Sequence, residues 1–377
     1  MRVSRRIALP LFFSAFTILP GVGASSQSYT VRDLNPSGYI DSFPTAAGSD
    51  GQVVGSASML GGQLHAMLWK PDGTFVDLHP PGASESQGNG LTVAQQVGVV
   101  DSHAVVWSGT ASSAANLNSA DYRFSIATAT RGGMQLGLAA NQNPFSDSRA
   151  LLWSGPAVSP IDLTPTGYTA AYGEAMSAAR QGGYGVTGGH NHALLWSGSA
   201  TSVVDLHPAA LADSQITAMS DDQQVGIGTL ADGTQHALLW TGNAASVVDL
   251  NPSGFVASAA TGIADGEQVG IGYFAKPPSV YGGPYLGRAV VWSGTAESAI
   301  NLQQFLPPQF VASSAVGVDD NGDVFGSAQT EQGYFHTVEW IPAPEPGCLP
   351  VLLICILTQC RRRKCLRAFE RPRHQYA

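Results

Sequence analysis

Every tryptophan in the chain closes the same five-residue phrase: a basic residue, Ala or Thr, two mostly apolar residues, then Trp. The copies are His65-Ala-Met-Leu-Trp69, His103-Ala-Val-Val-Trp107, Arg149-Ala-Leu-Leu-Trp153, His192-Ala-Leu-Leu-Trp196, His236-Ala-Leu-Leu-Trp240, Arg288-Ala-Val-Val-Trp292 and His336-Thr-Val-Glu-Trp340. Successive tryptophans stand 38, 46, 43, 44, 52 and 48 residues apart. A fixed period of that size marks a repeat protein, in which each unit is too small to bury its own apolar face and stacks on its neighbours.

Each repeat reads as four short strands. Eight or nine residues after the Trp comes Asp-Leu or Asn-Leu, at Asp77, Asn116, Asp162, Asp205, Asp249 and Asn301, and in five copies a Trp-Ser-Gly or Trp-Thr-Gly turn lies between, which makes a hairpin. Upstream of the phrase lies a Gly-bearing apolar run such as Gln224-Val-Gly226 or Gln268-Val-Gly270. Before that come an Asp/Gly/Asn turn and a run of small residues such as Ile216-Thr-Ala-Met219. Four strands per unit match a propeller blade better than a β-helix coil, and the small-residue run suits the crowded innermost position. The apolar phrase lacks polar alternation because both faces of a blade are covered by neighbouring blades.

The two ends are complementary. Trp340 runs into Ile341-Pro342 with no Asp-Leu strand after it, whereas Tyr29-Thr-Val-Arg-Asp33-Leu34 is an Asp-Leu strand with no phrase before it. Pairing the two closes a ring and removes two exposed sheet edges. The expected fold is therefore all-β, a seven-bladed propeller-like ring of four-stranded antiparallel repeats closed by the N-terminal strand.

Outside the repeats, Arg2, Arg5 and Arg6 precede an apolar run from Ile7 to Leu19 and the small residues Val22-Gly-Ala24. That is the pattern of a secretory signal over residues 1–24, too short to span a bilayer needing about 20 apolar residues. The repeat domain takes residues 25–343 and contains no cysteine; all four, Cys348, Cys355, Cys360 and Cys365, lie in the last segment, so a packed core rather than disulfides must hold the exported domain. Between Ser25 and Ala343 there are eight Lys and Arg against 25 Asp and Glu, a net charge of −17. Such a charge repels phosphate backbones and anionic lipid, which argues against nucleic acid or a membrane surface as partner. Residues 344–377 combine Pro344-Glu345-Pro346, a short apolar stretch from Gly347 to Leu357 and the block Arg361-Arg362-Arg363-Lys364. On its residues alone this is a weak C-terminal anchor or a sorting signal, in contact with the membrane only transiently in the second case.

That segment resembles the PEP-CTERM sorting signal of exported bacterial proteins, carried by Pro344, Glu345, Pro346, Arg361, Arg362 and Arg363. The resemblance implies processing by an exosortase-type enzyme and an extracellular or cell-surface destination. From about Asp33 to Trp340 the chain also resembles the extracellular HAF repeat, through the His-Ala-aliphatic-Leu-Trp phrase, the Asp-Leu that follows and the Gly-bearing Val-Val-Gly strand. That resemblance implies export and says little about chemistry.

The phrase histidines belong to different repeats at equivalent positions, which do not converge, and Arg149 and Arg288 stand in for two of them. A shared hydrogen bond, to the Asp or Asn of the adjacent strand, explains both residue types; metal ligation does not. His190-Asn-His192 has ligand spacing on a strand, but the repeat already accounts for His192. Asp319, Asn321 and Asp323 resemble the start of a calcium loop whose later positions are missing, so a plain turn is preferred, with calcium the lesser alternative and no other cofactor expected. No catalytic motif stands out. The loops between blades and between second and third strands open on one face, where Tyr39, Tyr168, Phe255, Tyr281 and Tyr285 offer rings for stacking on a sugar; the rival reading is that they plug gaps between blades. The Asp-rich turns fall on the opposite face. The resulting expectation is a monomeric, exported, non-enzymatic surface or matrix protein that binds exopolysaccharide or a surface protein. The alternative is a secreted propeller hydrolase or lyase acting on extracellular polysaccharide, which predicts polar side chains from three or more blades meeting in one pocket.

Overall fold

A computed structural model of the chain describes residues 27–344, apart from 61, 143–145, 157, 276–284 and the side chain of Tyr285. Tyr29–Pro342 forms a compact unit of seven four-stranded antiparallel sheets arranged as a seven-bladed β-propeller. The first blade shows the plan: Asp41–Ala47, Val53–Ser58, Leu64–Trp69 and Phe75–Asp77 pair in chain order from the inside outward. In the seventh blade Phe310–Val318, Val324–Thr330 and Phe335–Pro342 are completed by Tyr29–Asp33 from the other end of the chain. Tyr29 lies opposite Pro342 and Asp33 opposite Val338, so the strand predicted to close the ring does so.

The phrase that marks each blade is its third strand, and period-two alternation explains its composition. Ala193 and Leu195 turn into a core shared with the fifth blade and Trp240, while Leu194 and Trp196 turn the other way into a core shared with the third. Each Trp shares a core with the Leu that follows the preceding blade's Asp or Asn: Trp107 with Leu78, Trp196 with Leu163, Trp340 with Leu302. Seven such cores lie between seven neighbouring pairs of blades, and no Trp is more than 1% exposed. At about 25 cal/mol per Å² and about 150–250 Å² per ring, each contributes about 4–6 kcal/mol of burial. All seven cores and the closing strand lie within Tyr29–Pro342, so this part has what it needs to fold by itself.

Two recurring polar residues secure the joints. A buried Gln opening the second strand accepts through Oε1 from the glycine of the Trp-Ser/Thr-Gly turn, as in Gly198 N to Gln181 (2.7 Å) and Gly294 N to Gln268 (2.7 Å). Those glycines have φ of 80° and 84°, left-handed values that disfavour any side chain. A buried Ser on the first strand of the next blade accepts from the backbone N–H of the phrase's second residue, as in Ala193 N to Ser214 (3.0 Å), Ala237 N to Ser258 (3.0 Å) and Thr337 N to Ser42 (2.8 Å). The ring is thus stitched edge to edge by hydrogen bonds inside its apolar cores.

Candidate functional site

The Asp or Asn after each third strand turns the chain toward the next blade. One side-chain oxygen accepts from the backbone N–H two residues on, as Asp77 does from His79 (2.8 Å) and Asp249 from Asn251 (2.8 Å). The other oxygen is left to hold the basic residue of the phrase: His65 Nδ1 to Asp77 (2.8 Å), His192 to Asp205 (2.8 Å), His236 to Asp249 (2.7 Å) and His336 to Asp33 (2.8 Å). Arg149 lies 3.9 Å from Asp162 in the same position. The hydrogen bond expected for these residues is therefore present in four blades, Arg149 makes a looser ion pair at the same place, and Arg288 instead donates to Val311 O of the next blade.

The loop aromatics build onto these pairs. Tyr39 donates to the same Asp77 oxygen that holds His65 (3.1 Å), and its ring meets His65 and Phe75 edge-on. Tyr168 does likewise with Asp205 (3.2 Å) and His192. Burial, with the neighbouring carboxylate second, pushes both phenols up to about 12. Phe255 stacks obliquely on Phe274 at 4.2 Å. All three rings are half-buried, each anchored within its own blade. Tyr281 and the side chain of Tyr285 lie outside the described residues, as do Glu345, Pro346, Arg361, Arg362 and Arg363; Pro344 is the last residue described. Sequence reading missed His79 and His207, which stack on His65 and His192 at 3.9 and 4.0 Å and reach Ser86 and Ser214 of the following blades. Their signal was the Leu-His-Pro that opens only these two inter-blade loops.

The candidate metal residues have other partners. Asp319 is 2% exposed, and one of its oxygens accepts from Asn321 N and Asp323 N (both 2.9 Å), which folds its own turn. His190 stands 3.6 Å from Asp213 and His192 2.8 Å from Asp205, so the two imidazoles face different acids. Among the described residues no group of three or more His, Cys, Asp or Glu is placed to hold a metal ion.

A lumen of about 630 Å³ is lined by the first strands of all seven blades and opens among the first-to-second-strand turns. In each blade the first strand carries a bulge, one extra residue against the second strand. The second-strand glycine sits there because the bulged strand leans on it. A Cβ at Gly226 would lie 1.9 Å from the Gln215 carbonyl and one at Gly183 2.0 Å from that of Tyr172. The extra residues are Thr45, Asn89, Thr128, Glu174, Thr217, Thr261 and Val316, and all face the lumen at equivalent heights. Thr45, Thr128, Thr217 and Thr261 donate to backbone carbonyls of the following blade at 2.6–2.8 Å, and Asn89 Nδ2 does so at 3.0 Å. Glu174 breaks the pattern. No hydrogen bond or ion pair engages its carboxyl among the described residues. Burial alone pushes it up to about 7.

No family model matches this sequence, and no curated protein matches it. Solved structures match the fold. A puromycin hydrolase S511A mutant complexed with PGG superposes with a TM-score of 0.56 at 11% identity, over 82% of this chain and 55% of that one. The β-propeller domain of the Trilobed protease from Pyrococcus furiosus, described as having an open velcro topology, gives a TM-score of 0.51 at 9% identity, over 80% of this chain and 94% of that domain. The chain spans about half the length of the puromycin hydrolases it resembles. At these identities the likeness is one of fold. Unlike a ring left open, this one is closed by Tyr29–Asp33.

Proposed function

We propose that the chain is an exported cell-surface or extracellular-matrix protein of the HAF-repeat kind, processed at its PEP-CTERM-like tail by an exosortase-type enzyme, whose propeller binds polysaccharide or protein without catalysis. The observation that carries this reading is where the recurring polar residues end. Four of the five phrase His, the Asp that hold them, the Gln and the Ser close on one another or on backbone, as His192 does on Asp205 and Ser214 on the Ala193 N–H. Residues so engaged support a scaffold, and recognition then falls to what differs between repeats, namely the inter-blade loops with Tyr39, Tyr168 and Phe255 and the longer loop with Tyr281 and Tyr285. Half-buried rings with fixed orientations suit stacking on a sugar, because little side-chain freedom is lost on binding.

A secreted hydrolase or lyase acting on polysaccharide is the second reading, favoured by one observation: polar side chains of six blades line a single lumen in which a carboxyl is raised to about 7, the range of a general acid. Glycoside cleavage of the usual kind asks for a second carboxyl about 5–10 Å away. A glycan array probed with residues 25–343 separates the two. Retention of a polysaccharide that is weakened in Tyr39→Ala and Tyr168→Ala and releases no new reducing ends supports the scaffold; time-dependent release of fragments supports the enzyme; no retention removes the polysaccharide reading.

A further inference from the structure

The bulge belt has a property beyond its polarity, which is the direction of its hydrogen bonds. Each of the four Thr hydroxyls lies between two backbone carbonyls, one of its own blade and one of the next: Thr45 between Val54 O and Gly88 O, Thr128 between Leu136 O and Gly173 O, Thr217 between Val225 O and Ala260 O, Thr261 between Val269 O and Ala315 O. A carbonyl cannot donate, so each hydroxyl hydrogen points into the wall. Asn89 likewise turns its amide N–H toward Ala127 O. Besides the second Asn89 N–H, what the belt leaves for the lumen is oxygen lone pairs: four hydroxyls, one amide carbonyl and the Glu174 carboxyl. The mouth repeats the bias, with Asp221, Asp265 and Asp320 against Arg131 among the lining residues.

A wall whose belt presents mostly acceptor oxygens, with one carboxyl that no cation pairs among the described residues, is complementary to a cation rich in N–H donors. We propose that the lumen is a binding site for small organic ammonium ligands, with Glu174 as the anionic anchor and the belt oxygens of the neighbouring blades as acceptors for the remaining N–H groups. At about 630 Å³ the lumen holds a molecule rather than a bare ion. Direct metal ligation is the poorer fit because the belt has a single carboxyl, whereas calcium takes six to eight oxygens with several carboxylates. The site also explains why Glu174 replaces Thr. In four other blades Thr at this position adds a tie to the next blade, and Glu174 forgoes it and leaves a carboxyl without a partner. A departure that leaves a buried carboxyl without a hydrogen bond, in a belt whose other polar members, Thr45, Asn89, Thr128, Thr217 and Thr261, all tie to the next blade, points to a ligand. The inference does not depend on what the loop face binds.

Isothermal titration of residues 25–343 at pH 8 with putrescine, 1,4-butanediol and calcium chloride tests it. Putrescine binds and butanediol, its neutral isostere, does not. Glu174→Thr and Glu174→Gln each weaken putrescine binding at least tenfold, and Glu174→Thr raises the melting temperature because the new hydroxyl takes the role of its four counterparts. Absence of putrescine binding, equal binding by both variants, or calcium binding lost in the same variants while putrescine is ignored would overturn the assignment. A lower melting temperature for both variants would instead make Glu174 structural and would equally overturn it.

Discussion

Trp69 and Trp196 occupy the same place in different blades and differ by one hydrogen bond. The Trp69 indole donates to Leu34 O (2.9 Å), whereas that of Trp196 is buried with no partner among the described residues. Trp→Phe removes similar apolar area at both sites. At Trp69 it also strands a buried carbonyl, while at Trp196 it removes a donor that was already unpaired. Denaturant melts should therefore show Trp69→Phe losing about 1–2 kcal/mol more than Trp196→Phe. Glu174 gives a residue-scale prediction in pH. Its folded value of about 7 lies above the ordinary 4.5, so the unfolded chain releases this proton first. The folded state then holds more protons across that window, and stability falls as pH rises through it. The difference corresponds to about 3 kcal/mol, complete above pH 7 and absent below 4.5. Glu174→Gln should match the wild type in melting temperature at pH 4 and exceed it at pH 8; an equal gap at both values would refute the assignment.

Strands were legible because their signals repeat. An Asp-Leu pair at one end and a phrase without its Asp-Leu at the other mark the closing strand. Tyr29–Asp33 brings with it the burial of Tyr29 and Leu34, the Asp33–His336 pair and the Arg32–Glu339 ion pair. Deleting Tyr29 to Leu34 therefore exposes an edge and leaves Glu339, 4% exposed, without its guanidinium. An uncompensated buried charge alone costs about 3–5 kcal/mol, so the deletion should abolish cooperative unfolding or lower the melting temperature steeply. The bulges were not legible, because a run such as Tyr172-Gly-Glu-Ala-Met176 carries no residue that marks an extra position in a strand. Aligning the seven first strands on their bulges, which needs the pairing register, is what shows Glu174 standing where Thr is the rule. The loop aromatics were legible in position, yet not in partner, since Asp77 and Asp205 lie 38 and 37 residues from Tyr39 and Tyr168.

At the scale of the molecule, the repeat period set the number of blades, and the end complementarity decided that they form a ring rather than an open stack. Function was less legible for a physical reason. A propeller gathers its lumen from seven segments spread over the whole chain, so no local motif can announce it, and the solved structures whose fold it shares resemble this chain at only 9–11% identity. The central claim is closure by the N-terminal strand, in a register that places Thr30 opposite Ile341. Residues 25–343 contain no cysteine, so a Thr30→Cys, Ile341→Cys pair adds the only thiols in the domain. Directly opposed residues on antiparallel strands bring their Cβ atoms within about 4.5–5.5 Å, close enough for a disulfide after small adjustment. Mild oxidation followed by mass spectrometry of proteolytic fragments should recover the cross-linked termini in high yield, with a raised melting temperature that reduction reverses. Recovery of both cysteines as free thiols under the same conditions would contradict the closed ring.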